Sequence, residues 1–338
     1  MKNRAWLILV FCGVLSSSLA AQQFRVNGYF SLDYLKGQSQ SFFSQGSYQN
    51  ARAGLIFSGE WTPQFSYALE IQSKDEMRFE IEQAWAGFFW SDTIHVKLGL
   101  YLVPFGKYNV SSRAFQTRSI QPPFPLNDVF PASWRDIGLL VEGKTGIFIY
   151  SAYLGNGLTE GENLRAGQQF KDNNHDKGRG SRLGFLVSQN IEVGLSYYSC
   201  KIDDEDKRGL SLKGVDLTWF DETYTLSGEY VRADIENPEP FSKGTAEGWF
   251  LIGSFSLGSI SPFVAFEKYR YEDPFHGAGY AGPLAAGLGI FENRSRWAAG
   301  LVATIHPNFL VKLEYDFNKQ QNLVLKDNVF LVQAAVHF

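Results

Sequence analysis

The sequence of 338 residues contains only two cysteines, Cys12 and Cys200, and five histidines. Two cysteines exclude the set of disulfides that holds many small secreted domains together. The histidines and cysteines are not grouped at metal-ligand spacing, so we predict neither a metal nor another cofactor. Acidic residues outnumber basic ones and the formal net charge is −4, which argues against a nucleic-acid partner. Beyond the first twenty positions no run of 18 apolar residues occurs, which excludes a membrane-spanning helix.

The first twenty residues have the composition of an export signal. Lys2 and Arg4 form a short basic segment, and positions 5–15 form an apolar run that is too short to cross a bilayer as a helix. Ser18, Leu19 and Ala20 fit the small-residue pattern that precedes a cleavage site. We therefore predict a cleaved signal peptide at 1–20 and a mature chain at 21–338.

Apolar and polar residues alternate through the rest of the chain. Near its end, Val311 and Leu313 alternate with Lys312 and Glu314. Successive side chains of a strand point to opposite faces, so each predicted strand has one apolar and one polar face. The strands are about ten residues long, as a tilted strand must be to cross a bilayer. They are predicted at 24–35, 51–61, 65–73, 78–90, 93–103, 134–143, 146–155, 181–189, 191–200, 210–220, 223–234, 246–258, 260–271, 294–305, 308–318 and 328–338.

Short connections follow the even-numbered strands and long ones follow the odd-numbered strands, except for the short link at 74–77. This layout is typical of outer-membrane barrels, which have short periplasmic turns and long external loops. It predicts an all-β fold, a transmembrane antiparallel up-and-down barrel of about 16 strands, with 14 or 18 strands left open. The predicted location is the outer membrane of a Gram-negative bacterium, in contact with its lipid and lipopolysaccharide, with both termini in the periplasm.

Aromatic residues at strand ends support this interpretation, because tryptophan favours the two membrane interfaces. Six tryptophans fall near predicted strand ends: Trp61, Trp90, Trp219, Trp134, Trp249 and Trp297. The last predicted strand alternates as far as Phe338. An alternating strand with a terminal Phe resembles the C-terminal signature of outer-membrane barrels, and this resemblance implies that the barrel-assembly machinery recognises Phe338.

One short motif points to a family of barrels. Positions 97–108 read KLGLYLVPFGKY, in which Pro104, Phe105 and Gly106 follow the end of the fifth predicted strand. This segment resembles the phosphate-selective porin O and P family. The resemblance implies sixteen strands, a homotrimer, and a diffusion channel whose long third loop folds into the lumen and forms the constriction.

The segment around this motif is basic. Positions 93–127 contain no Asp or Glu but contain Lys97, Lys107, Arg113 and Arg118. Inside the lumen, such a loop would favour anions, since basic rings in a pore select for anions and phosphates. We therefore assign Lys107, Arg113 and Arg118 to the pore constriction, with Arg135 as their partner on the wall. The alternative is a basic external loop that meets acidic groups of lipopolysaccharide.

The predicted inner wall carries charges of both signs. Seven further cations point inward by alternation: Arg25, Arg52, Arg78, Lys97, Arg182, Arg294 and Arg296. Eleven acids share that face: Asp33, Glu60, Glu70, Glu80, Glu82, Glu192, Asp216, Glu229, Glu267, Glu314 and Asp316. Opposite charges on neighbouring strands attract each other, so we expect many of them to pair. This mixture argues against strict selectivity for phosphate.

The function favoured by the sequence is passive diffusion of small hydrophilic solutes through a porin, with a tilt toward anions such as phosphate. An outer-membrane enzyme that hydrolyses lipids is the least favoured alternative, because no histidine accompanies a serine in a recognisable nucleophile motif. A structural or substrate-specific barrel is the other alternative. We expect a structural barrel to have an apolar lumen, whereas the inner face predicted here is charged.

Overall fold

The fold was obtained as a computed structural model that describes residues 24–74, 78–91, 93–131, 133–161, 164–237, 243–273 and 293–338. The predicted signal peptide lies outside the described residues. Within them, no helix is both long and apolar enough to span a bilayer. The sixteen strands are β1 Arg25–Gly37, β2 Ser47–Thr62, β3 Phe65–Lys74, β4 Arg78–Ser91, β5 Ile94–Leu102, β6 Arg135–Thr145, β7 Phe148–Gly155, β8 Gly178–Leu186, β9 Ile191–Lys201, β10 Gly209–Phe220, β11 Tyr224–Ile235, β12 Gly244–Phe255, β13 Ile260–Asp273, β14 Arg294–His306, β15 Phe309–Gln320 and β16 Val329–His337.

Each strand pairs antiparallel with its neighbours in sequence, and β1 pairs with β16, so the sheet closes into a barrel. At the closure, Ser31 lies opposite Ala335. The predicted antiparallel barrel of sixteen strands is therefore confirmed. The start of β1, the end of β16 and the short turns that follow the even-numbered strands lie at one rim, which we call the turn rim. We call the opposite rim the loop rim.

The strand β8 is displaced by three residues at both ends, since it covers Gly178–Leu186 rather than 181–189. Two glycines made this segment resemble a loop in the sequence. In the barrel they are strand residues, and Gly180 lies opposite Tyr153. A Cβ atom on Gly180 would lie 2.3 Å from the Tyr153 ring, so only glycine lets that ring lie flat against the strand.

Large aromatic side chains cover parts of the outer surface. Trp61 and Trp90 lie at the turn rim with exposed fractions of 58% and 75%, and Trp249 and Trp297 are exposed nearer the loop rim. The prediction for Trp134 was wrong. This side chain is fully buried inside the barrel, where its ring packs on Phe130 and Tyr198 at centroid distances of 5.5 and 4.7 Å.

The connection between β5 and β6, residues 103–134, folds into the barrel, and we call it loop three. It contains a short helix, α1, over Phe124–Val129. This helix lies against β11, β12 and β13. The predicted inward fold of loop three is thus confirmed.

The prediction of a charged inner face holds for only part of the wall. From β10 to β14 many inward positions are apolar and buried: Leu210, Leu212, Val231, Ala233, Ile235, Ala246, Phe250, Ile252, Phe263, Ala265, Ala298 and Val302. Together with loop three they form a hydrophobic core inside the barrel. Burial against loop three removes their apolar surface from water, so parts of these strands are apolar on both faces.

Candidate functional site

Loop three is closed at its base by one amide side chain. Asn109 donates from Nδ2 to the carbonyl oxygens of Val103 and Trp134, at 2.9 and 2.8 Å, and its Oδ1 accepts from the Trp134 amide at 2.8 Å. All three residues are buried. Because buried backbone groups need partners, Asn109 joins the two ends of the loop where they leave the barrel wall.

The first turn of loop three binds to β9 and β11. The Gly106 amide donates to Ser196 Oγ at 3.0 Å, and the Lys107 and Tyr108 amides both donate to Glu229 Oε1 at 2.6 Å. Gly106 has a φ angle of +64°. This left-handed conformation favours glycine and directs the next two amides at one carboxylate.

Replacing Gly106 with alanine is expected to detach this turn, because the added Cβ would lie 2.3 Å from Glu229 Oε2. The strain and the lost contact should destabilise the loop by about 1–3 kcal/mol. Limited trypsin digestion of the folded barrel measures the effect as faster cleavage after Lys107. Gly146→Ala is the matched control, since Gly146 also has a positive φ but has no atom within 4 Å of the added Cβ. Equal cleavage rates in the two variants would contradict the prediction.

The middle of loop three binds to β3 and β15, across the barrel from the contacts with β9 and β11. Arg113 donates from Nε to Glu70 Oε1 at 2.8 Å, and its Nη2 pairs with Glu70 Oε2. Burial opposes the charge of Arg113, but the hydrogen bond and the charge of Glu70 outweigh it and raise the pKa of Arg113. From β15, Lys312 donates to the carbonyl oxygen of Ala114 at 2.6 Å and to Thr117 Oγ1 at 3.1 Å.

The last part of loop three is held by a buried charge cluster on β13–β15. Arg296 donates to Glu267 Oε1 at 2.7 Å and to Asp316 Oδ2 at 3.4 Å. The same guanidinium donates to Gln121 Oε1 at 2.9 Å and to the Pro122 carbonyl oxygen at 3.1 Å. Because one arginine contacts both the wall and the loop, it couples the position of the loop to the charge balance of the cluster.

The predicted constriction residues Lys107, Arg113 and Arg118 all lie on loop three inside the barrel. Lys107 pairs with Glu192 of β9, and Arg113 pairs with Glu70 of β3. Arg118 is partly buried and has no hydrogen bond or ion pair with any residue in the described part of the chain. The three cations therefore lie inside the barrel but not at one point, since Lys107 and Arg118 border one space and Arg113 borders another.

Arg135, the predicted wall partner, is buried at the start of β6. It donates to the Ile81 carbonyl oxygen at 2.8 Å and to Glu80 Oε2 at 3.1 Å, and it lies 3.7 Å from Glu82 Oε2. Its exposed fraction is 6%. The structure thus places Arg135 within the wall and in contact with acids.

Among the predicted wall cations, four pair with acids in the described structure. Lys97 lies 2.5 Å from Glu142, and Arg182 bridges Glu192 and Asp216. Arg294 pairs with Asp128 of loop three, and Arg296 pairs as given above. Arg25 and Arg78 lie at strand ends and have partners of their own. Arg52 makes no hydrogen bond or ion pair within the described residues.

Two spaces remain beside loop three. A gap of about 20 Å³ lies between the loop and β1–β4, and Arg52, Glu70, Glu82 and Arg113 border it. A larger cavity of about 500 Å³ lies between the loop and the turn rim, and Lys107, Arg118 and Glu229 border it. The acids at both spaces already have partners, whereas Arg52 at one space and Arg118 at the other make no hydrogen bond or ion pair within the described residues. Arg52 and Arg118 are therefore the cations beside these two spaces that remain available to a solute.

The partners of the loop-three backbone amides could not be identified from the sequence. It placed Glu229 and Glu314 on the inner face, but backbone donors carry no signature in a sequence. In the structure Glu229 accepts two amides, and Glu314 accepts the amide of Ile120. The absence of acids in 93–127 was the available signal, since the counter-charges of the loop then have to come from the wall.

No group of three or more His, Cys, Asp or Glu residues that could hold a metal occurs in the described parts of the chain. Two histidines pack on aromatic rings. His95 lies 4.1 Å from the Phe89 ring centroid, and His337 stacks on Phe115 at 4.7 Å.

Comparisons with known proteins identify the fold rather than a family. No protein-family model matches the sequence. An uncharacterized protein of Aquifex aeolicus is 22% identical over 203 residues, which are 55% of this chain and 46% of that protein, so the chain matches under half of its length.

Solved outer-membrane proteins share the barrel. They include the outer membrane channel DcaP of Acinetobacter baumannii, with a TM-score of 0.67, 11% identity and coverage of 95% and 99% of the two chains. An anion-selective porin from Comamonas acidovorans has a TM-score of 0.63 and 11% identity, with coverage of 94% of this chain and 99% of the porin. The trimer form of OmpT from Vibrio cholerae has a TM-score of 0.65 and 11% identity, with coverage of 94% of this chain and 100% of OmpT. The chain thus has a porin-like fold.

Proposed function

We propose that the protein is an outer-membrane channel through which small hydrophilic solutes diffuse passively, with a preference for anions such as phosphate. The observation that carries the proposal is that Arg52 and Arg118, at the two spaces beside loop three, make no hydrogen bond or ion pair with any described residue. A positive charge at a narrow point of a pore lowers the energy of an anion there and raises that of a cation.

The partners of the acidic side chains also support a preference for anions. Glu70 is bound by Arg113, Gln83 and Tyr29, and Glu82 is bound by Lys74 at 2.7 Å. A carboxylate that is already paired attracts a passing cation weakly, because its charge is largely neutralised. The arginines without partners then dominate the local field.

The shared fold supports a channel and a homotrimer, since the similar structures include a named channel, a named anion-selective porin and a trimer form. In this proposal the protein has no enzymatic activity. The turn rim, with both termini, faces the periplasm, and Phe338 at that rim is the residue read during assembly.

A substrate-specific barrel is the second candidate, and the apolar core inside the barrel favours it. Buried side chains such as Phe250 and Ile252 narrow the lumen on the β10–β14 side. A wide general pore would leave these positions polar and hydrated.

The test is the reversal potential of the purified full chain in a planar bilayer that separates KCl solutions of about tenfold different concentration. The available guanidinium groups of Arg52 and Arg118 are expected to give a reversal potential of the sign set by chloride. A reversal potential set by potassium would overturn the anion preference. A folded chain without conductance would overturn the channel itself and leave a structural barrel.

A further inference from the structure

The cavity of about 500 Å³ between loop three and the turn rim is named the vestibule here. Its lining comes from loop three and from β10–β12, β14 and β15. Ligand sites in proteins measure roughly 300–1,000 Å³. The vestibule therefore has room for a small organic molecule, whereas the gap beside Arg52, at about 20 Å³, does not.

Much of the vestibule lining is apolar. Val110 and Phe115 contribute from loop three, and Ile252, Val302 and Leu310 contribute from the wall. The Phe115 ring is fixed in place, since it stacks on His337 at 4.7 Å and lies 5.8 Å from the Tyr29 ring. A fully hydrated ion gains nothing from such a lining, but a solute with an apolar body does.

Arg118 is the charged group at the vestibule that remains available. The neighbouring residues are held, since Thr117 Oγ1 and the Ser119 carbonyl oxygen accept from Lys312. The other two charged groups of the lining are engaged, because Lys107 pairs with Glu192 and Glu229 accepts loop amides. Within the described chain, Arg118 has no such partner.

We infer that the vestibule binds organic anions with an apolar body, and that the class is aromatic monocarboxylates. The carboxylate binds the Arg118 guanidinium through two parallel hydrogen bonds, the geometry that arginine favours. The ring lies against Val110, Phe115 and Leu310, from which it displaces water. This inference rests on the proposed function, because it names the class of solute that the channel would retain on its way through.

Equilibrium dialysis of the detergent-purified full chain against radiolabelled phenylacetate or acetate tests the inference. Phenylacetate is expected to bind saturably at one site per chain, and at least about tenfold more tightly than acetate, because its ring is removed from water. Arg118→Gln should weaken phenylacetate binding by about tenfold or more, since a hydrogen bond to a charged group is lost. Val110→Asn should weaken phenylacetate binding and leave acetate binding unchanged.

Lys326→Gln is the matched control, because it removes one positive charge at an exposed position near the loop rim and should bind like the wild type. If Val110→Asn does not fold, Leu310→Asn takes its place. Uptake that does not saturate, or equal binding by the wild type and Arg118→Gln, would overturn the inference. Dialysis requires no ion flow, so the two proposals can fail separately. A chain that conducts ions but does not bind phenylacetate contradicts only the inference about the vestibule. A chain that binds phenylacetate but does not conduct ions contradicts only the proposed channel.

Discussion

Replacing Arg296 with methionine is expected to lower the free energy of unfolding by about 3–5 kcal/mol, the usual effect of removing one partner from a buried ion pair. Arg296, Glu267 and Asp316 are each almost completely buried. Without the guanidinium, two carboxylates remain inside the barrel with no cation between them. Urea unfolding of the barrel in lipid vesicles, followed by tryptophan fluorescence, measures the change.

The matched control for this experiment is Lys201→Met. Lys201 lies 3.1 Å from Glu236 at the loop rim, and both side chains are more than a third exposed. Water screens such a pair, so its removal should change the free energy of unfolding by less than about 1 kcal/mol. If the two variants unfold alike, the cluster around Arg296 does not stabilise the barrel as we describe.

The double substitution Arg52→Glu and Arg118→Glu is expected to reverse the ion preference of the proposed channel. Both residues border the spaces beside loop three and have no partner in the described chain. At an effective dielectric constant of about 20, reversing a unit charge that lies about 8 Å from an ion changes the energy of that ion by about 4 kcal/mol. The reversal potential in a salt gradient should therefore change sign, with a shift of at least about tenfold in the chloride-to-potassium permeability ratio.

The same change of charge at another place provides the control. Lys319 and Lys326 are exposed near the loop rim, and Lys319→Glu with Lys326→Glu alters the net charge equally. At physiological salt, charges are screened over about 8 Å, so this variant should keep the preference of the wild type. If both double variants shift the reversal potential equally, net charge rather than position sets the preference.

The strands were predictable because alternation repeats sixteen times and each repeat is independent evidence. The path of loop three was predictable only through the Pro104-Phe105-Gly106 resemblance. Which face of a strand points inward was also predictable, as the buried Glu70 and Glu267 show.

What lies opposite an inward side chain could not be predicted. Trp134 and Tyr198 are separated by more than sixty positions, and their contact depends on how loop three bends back to β6. The apolar inward positions of β10–β14 resemble lipid-facing ones, since composition alone does not distinguish a protein core from a membrane. The pairing of Lys107 with Glu192 likewise depends on the path of the loop rather than on strand register.

The attachments of loop three have a consequence for the order of assembly. They come from β3, β9, β11, β13, β14 and β15, so they combine early and late parts of the chain. Contacts between residues far apart in sequence form late in folding, because they require most of the chain to be in place. Loop three therefore docks fully only once strands as late as β15 are in place, and until then the carboxylates that hold it are exposed to water. If the barrel is the channel proposed above, molecules in which the loop has not docked should be more permeable than the finished protein.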